Sequence, residues 1–254
     1  MSHFETPLRG GPIRFERDVH TAVWGEEEWL ISARPGSPGV IAGGGGETLL
    51  DVAPDFPLLI KRIRAEKRLS VQVHPDTAAA AAGGEPKAEM WCILSAGPIF
   101  AGFKPGTTRR DVMKALDSGT LESLLVRIET RPGECYFIPG GMVHSIGEGT
   151  SVYEVQQSSD TTFRLYDWGR NGSDGKPRPL HVAEAFRSLD VGLPPPLPQD
   201  SVRCPYFSFS KSAAGGVAAS EKWRAVYVPA TGDSFLLPPG PGVEVRERFF
   251  LTTT

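Results

Sequence analysis

The stretch Leu69-Ser70-Val71-Gln72-Val73-His74-Pro75 constrains this chain more than any other. Apolar residues fall on every second position, so Leu69, Val71 and Val73 share one face and Ser70, Gln72 and His74 the other. That alternation is the period of a half-buried strand. Pro75, which has no N–H for the ladder, ends it. The polar face presents an amide and an imidazole one strand period apart, the spacing at which a β-barrel offers two neighbouring ligands to one ion. From these residues alone, a strand edge with a merely hydrogen-bonded histidine reads the same way.

Two further stretches tip the balance. After a loop of small residues from Thr77 to Gly84, Lys87-Ala88-Glu89-Met90-Trp91-Cys92-Ile93-Leu94 predicts a second strand with Lys87 and Glu89 on one face. The run from Gly133 to Ser145 predicts turn, strand, Pro139-Gly140 corner and strand, with His144 at the corner. Gln72, His74, Glu89 and His144 then form a set of two imidazoles, a carboxylate and an amide oxygen. Such a set suits one Zn²⁺ or similar divalent ion per chain and leaves room for water or a substrate oxygen.

Seven segments in order along the first three quarters of the chain carry a wider likeness. They are Trp24 to Ala33, Phe56 to Lys61, Leu69 to Asp76, Lys87-Ala88-Glu89, Ile138 to Gly141 with His144, Glu154 to Asp160, and Arg164 to Arg170. In these the chain resembles the type I mannose-6-phosphate isomerases, zinc enzymes of the cupin superfamily, and specifically their short bacterial branch. The resemblance implies a metal held by Gln72, His74, Glu89 and His144, and an aldose–ketose isomerisation through an enediol. It also implies a catalytic part for Lys87, although Pro86 stands where longer members carry a histidine, and for Arg164, whose counterpart is tied to substrate binding or enediolate stabilisation. Strand alternation puts Arg164 on a polar face with Tyr166, while Phe163 and Leu165 face inward.

The predicted fold is mainly β: a cupin-type jelly-roll barrel over residues 1–190, with a helical insert at about 107–128, and a reduced cupin-like module over 191–254. In the insert, Val112 and Leu116, then Leu121, Leu124, Leu125 and Ile128, mark two short helices split at Ser118-Gly119. Thr107 or Thr108 caps the first. Pro194 to Pro198 reads as a stiff linker. Beyond it, Gly232 to Gly240 echoes Gly133 to Gly140, but the module contains no histidine and cannot repeat the metal site. Gly43 to Gly46 is a flexible tip rather than a phosphate loop, since no Lys-Ser/Thr follows and no helix starts there. Trp24 and Trp29 are structural anchors.

Around the centre, Glu154, Gln156 and Ser158 are placed to orient the ligands. Asp167 and Arg170 either pair with each other or meet the substrate, and Arg170, Lys176 and Arg178 are candidates for holding a phosphate. His3, His20 and His181 fit no ligand pattern, and His181 reads as a helix start. A net charge of −3 gives no electrostatic case for nucleic acid or a membrane surface. No apolar run approaches a spanning helix, and residues 1–5 do not resemble a signal peptide. Cys92, Cys135 and Cys204 are odd in number and widely spaced, which predicts reduced core thiols and a cytoplasmic protein.

Three functions remain in play. The first is the metal-dependent isomerase acting on a small sugar phosphate. The second is a cupin enzyme of other chemistry such as a dioxygenase, disfavoured by Gln72 where a third histidine is usual. The third is a sugar-phosphate-binding regulator that kept the pocket. The oligomeric state is not legible.

Overall fold

The computed structural model describes residues 11–81 and 83–254. His3 and the other residues of the amino-terminal five therefore lie outside the described part. Two compact units emerge: His20–Glu27 with Arg62–Pro198, and residues 11–19 with Glu28–Lys61 and Gln199–Thr254. The amino-terminal strands β1 (Asp18–Ala22), β2 (Gly25–Arg34) and β4 (Leu58–Ala65) run through this division, and β3 (Ser37–Pro38) lies within the second unit.

The first unit is the expected cupin-type barrel. Its strands are β5 (Val71–Val73), β6 (Glu89–Ser95), β7 (Pro98–Phe103), β8 (Leu125–Glu129), β9 (Cys135–Ile138), β10 (His144–Ile146), β11 (Ser151–Gln157) and β12 (Phe163–Tyr166). One sheet has the order β12-β5-β10-β7-β8, and in the other β11, β6 and β9 lie side by side. Between them sits a core drawn from both, with Trp91, Ile93, Tyr136, Ile138 and Val152 meeting Ile99, Ala101 and Ile146. Trp24 packs against this core, in keeping with its anchor role.

The opposite face of the β5-containing sheet is covered by helices. Val71, Val73, Phe100 and Leu165 pack there with Val112, Ala115 and Leu121 from the insert and Ala185 from α4 (Val182–Ser188). The alternation on β5 thus sends Val71 and Val73 to the helices and Gln72 into the barrel. Leu69 precedes the strand and joins the barrel core instead of sharing their face.

Helix α3 (Arg109–Asp117) starts as expected: Thr108 accepts from the Asp111 N–H while the Asp111 carboxylate accepts from the Thr108 N–H at 3.0 Å. It ends at Gly119, whose φ of +68° suits a residue without a Cβ. The second predicted helix is a correction. Leu121–Leu124 makes one 3₁₀ turn, and Leu125 to Glu129 is β8, paired with β7. After the buried Leu125, Val126-Arg127-Ile128-Glu129 alternates in burial, and pairing with β7 overrides the helix-like leucine spacing.

Cys92 and Cys135 lie directly opposite on β6 and β9, with Cα atoms 4.1 Å apart, and form a disulfide. The expectation of reduced thiols is thereby corrected. Two strand positions far apart in sequence become cross-strand neighbours, and spacing along the chain does not reveal that.

In the second unit, β13 (Ser201–Arg203), β14 (Ser208–Ser212), β16 (Arg224–Val228), β17 (Asp233–Leu237) and β19 (Phe249–Thr253) form a sheet of order β13-β14-β19-β16-β17. Strands β15 (Gly215–Val217) and β18 (Val243–Val245) form a two-stranded sheet. Val217, Val226, Phe235, Leu237, Val245 and Phe249 fill its core. Ile13 exchanges two backbone hydrogen bonds of 2.9 Å with Leu236 of β17. The exposed Gly43–Gly46 turn is followed by a one-turn helix α1 (Leu49–Val52) capped by Thr48, so a short helix does begin nearby. Asp76 caps a similar one-turn helix, α2 (Thr77–Ala80).

Candidate metal centre

Three chain segments deliver the centre. His74 follows β5, Glu89 opens β6 in the facing sheet, and His144 opens β10 beside β5. All three are buried, at 1 %, 1 % and 0 % exposure. Backbone docking brings the two histidine segments together. The Gly141 N–H donates to the His74 carbonyl at 2.8 Å. Gly140 lies so close to the turn after His74 that a Cβ there would stand 2.7 Å from Asp76 Cα. The Pro-Gly corner therefore needs a residue without a side chain.

Each imidazole is held from behind. His74 Nδ1 lies 2.8 Å from the Thr161 carbonyl, and His144 Nδ1 lies 2.8 Å from the Met142 carbonyl. A carbonyl only accepts, so both Nδ1 atoms carry the proton and both Nε2 lone pairs point inward. There the two Nε2 atoms are 3.1 Å apart, and Glu89 Oε1 is 2.9 Å from His74 Nε2. Glu89 Oε2 is 3.7 Å from His144 Nε2. Three electron-pair donors thus face one point with no hydrogen between them, an arrangement that calls for a cation. Their ligand atoms all fall within 4.8 Å of one another. This donor set fits a divalent metal of the zinc type.

Electrostatics keep the donors ready. Burial, aided by the Lys87 charge, pushes the His74 pKa down to about 3. Burial also lowers that of His144. Burial works against the Glu89 charge, yet Lys87, His74 and His144 hold its pKa well below the ordinary carboxylate value.

Gln72 lies opposite His144 in register, with its Nε2 3.3 Å from His144 Nε2. A half-turn of the amide presents Oε1 there instead. Lys87 is not a solvated charge: it is 5 % exposed, and its Nζ lies 3.1 Å from Glu89 Oε1. Arg164 stands opposite Gln72 on the other side of β5, so Arg164, Gln72 and His144 form a row across one sheet face. Its Nη1 donates to the Pro179 carbonyl at 2.8 Å.

Other expectations fare unevenly. His181 starts α4, and it accepts the Arg164 N–H at Nδ1 while its own N–H donates to the Arg164 carbonyl. Tyr166 does not share the Arg164 face: an irregularity between them turns it toward Leu165 in the helix-side core. Asp167 resolves in favour of pairing, accepting from both Arg170 and Arg178. Two of the three loop cations considered for phosphate are thus already engaged. Two contributions to the centre were not singled out in the sequence: the Thr161 and Met142 carbonyls, and the indole of Trp91. Trp91 sits two residues after Glu89 on the same strand face, and that spacing was the available signal.

A mannose-6-phosphate isomerase of Streptococcus mutans is 31 % identical over 219 residues, covering 72 % of this chain and 69 % of that protein. This chain belongs to the mannose-6-phosphate isomerase family. One of Bacillus subtilis is 32 % identical over 223 residues, 74 % of this chain and 70 % of the relative. No protein-family model matches. In fold, the chain is similar to the crystal structure of the Bacillus subtilis mannose 6-phosphate isomerase, with a TM-score of 0.81 at 24 % identity over 96 % of this chain and 99 % of that one. A mannose 6-phosphate isomerase bound with zinc and yttrium aligns at a TM-score of 0.60 and 15 % identity, over 96 % and 99 % of the two chains.

Proposed function

We propose that this protein is a metal-dependent isomerase that interconverts mannose 6-phosphate and fructose 6-phosphate by proton transfer between C1 and C2 through an enediol. The observation that carries this reading is the convergence of two inward-facing Nε2 lone pairs and the Glu89 carboxylate, with the Lys87 ammonium 3.1 Å from Glu89. His74, Glu89, His144 and Gln72 would hold the metal, and zinc is favoured by the donor set and by the zinc-bound family structure. When bound, the ion supplies Lewis-acid stabilisation of charge on the substrate oxygens.

The chain's own residues supply the rest. Met142 and Thr161 fix the ring tautomers through their carbonyls. Lys87, buried beside Glu89, is assigned to proton transfer on one face of the sugar. Arg164, on the same sheet face as Gln72 and His144, is assigned to the developing oxyanion or the phosphate. Residues 1–190 are proposed as the catalytic module and 191–254 as a structural one. Among the described residues, no helix is long and apolar enough to cross a membrane. A cytoplasmic location is proposed, because a phosphorylated sugar carries too much charge to cross a bilayer unaided.

Purified protein incubated with mannose 6-phosphate, with and without a chelator, tests the reading. The expected result is fructose 6-phosphate formation that stops with chelator and returns with zinc. Binding of the sugar phosphate without turnover would overturn it.

A further inference from the structure

Among the described residues buried below 2 %, Trp91 is the largest side chain. Its position is set by two strand relationships. It follows Glu89 by two on β6 and lies directly opposite Glu154 on β11, so all three side chains share one sheet face. The single indole N–H points at both carboxylates: Nε1 is 3.1 Å from Glu89 Oε2 and 2.8 Å from Glu154 Oε2. The ring also meets His144 edge-on, with centroids 5.4 Å apart and planes at 74°.

An indole can only donate, so Trp91 is no metal ligand and takes no part in proton transfer. What it controls is the Glu89 carboxylate. Oε1 of that group faces Lys87 and His74, and Oε2 faces Trp91. Fixed at both oxygens by donors from different positions, the carboxylate plane cannot rotate freely. A benzyl ring in place of the indole would fill most of the volume, but it would leave Oε2 without its donor and Glu154 buried without this partner.

We propose that Trp91 is a positioning residue: through one shared hydrogen it orients Glu89 for the metal and ties Glu154 to the same point. The inference rests on the metal reading of this centre. Metal-free wild type and Trp91→Phe are titrated with Zn²⁺ against a chelating indicator. The ¹⁵N–¹H indole signals of wild type are followed in the same titration. The variant is expected to bind zinc roughly 10–100-fold more weakly, the range typical for loss of a hydrogen-bond partner behind a ligand. The Trp91 indole signal is expected to shift as zinc binds, and to shift in metal-free Glu154→Gln.

Zinc affinity within about twofold of wild type in the variant would overturn the proposal. So would an indole signal that zinc leaves unmoved, a readout that stands even if Trp91→Phe does not fold. Wild type that binds no zinc removes the metal reading itself. Tight wild-type binding with an indifferent variant removes only the role of Trp91.

Discussion

Two strand pairs, one in each unit, are built alike and end in opposite chemistry. In the first, Glu89 of β6 stands opposite Ile138 of β9, just before the Pro139-Gly140 corner. In the second, Arg224 of β16 stands opposite Leu237 of β17, just before Pro238-Pro239-Gly240. Aligned on the repeated Gly-to-Gly motif, Leu237 matches Ile138, so Arg224 holds the register position of Glu89. The carboxylate gathers lone pairs and a lysine. The guanidinium is 3 % exposed and donates to the carbonyls of Ala218 at 2.7 Å, Pro241 at 3.1 Å and Pro238 at 2.6 Å. One module collects acceptors and needs a cation from outside, whereas the other carries its cation on the chain. The same strand pair therefore serves either chemistry, and the side chains gathered around it decide which.

The largest expected effect is that of His144→Ala, which removes one of the inward-facing lone pairs. Metal content by elemental analysis and turnover should both fall to background, and retained zinc would break the contrast at its centre. Next is Lys87→Ala, where the isomerisation rate should fall about 10²–10⁴-fold while zinc remains bound. Unimpaired turnover would take Lys87 out of the chemistry.

Arg224→Met should leave the carbonyls of Ala218, Pro241 and Pro238 without this donor and cost about 1–3 kcal/mol in urea unfolding. The loss should be the same with and without chelator, and a loss that appears only in the metal-loaded protein would contradict a self-sufficient second module.

A further expected effect is a pH dependence of the metal-free protein. Unfolded His74 takes a proton near its ordinary value of 6.5, but in the fold burial keeps it unprotonated down to about 3. The unfolded chain binds more protons across this window, so stability should be full above pH 6.5 and decline as the pH falls toward 3. Glu89, also held below its ordinary value, acts in the same direction at the acid end. Residues 199–254 contain no histidine to respond. A flat unfolding profile from about pH 7 to 4 would count against a buried, neutral His74.

How far the sequence speaks depends on the range of the interaction. The convergence of His74, Glu89 and His144, with Gln72 beside them, was legible because each lies on or beside a strand whose period fixes its face, and Pro75 and the Pro139-Gly140 corner mark the ends. Thr108 and Asp111 announced α3 through a local hydrogen-bond exchange. Leu121 to Ile128 misled because short leucine-rich runs satisfy helix and strand periods alike, and only the partner β7 decides between them. The irregularity before Tyr166 is a single-residue event with no compositional mark. Register across strands lay further out of reach: the Cys92–Cys135 pair, the Trp91–Glu154 contact and the equivalence of Glu89 with Arg224 all depend on which strands become neighbours.

The close approach of Gly140 to Asp76 has a consequence for how firmly the two histidine segments are joined. Because main chain rests on main chain there, the gap between the His74 and His144 rings behaves like a caliper whose jaws are clamped at the hinge. Even one added methyl group at residue 140 would stand 2.7 Å from Asp76 Cα, so main chain would have to yield at the very joint that carries both histidine segments.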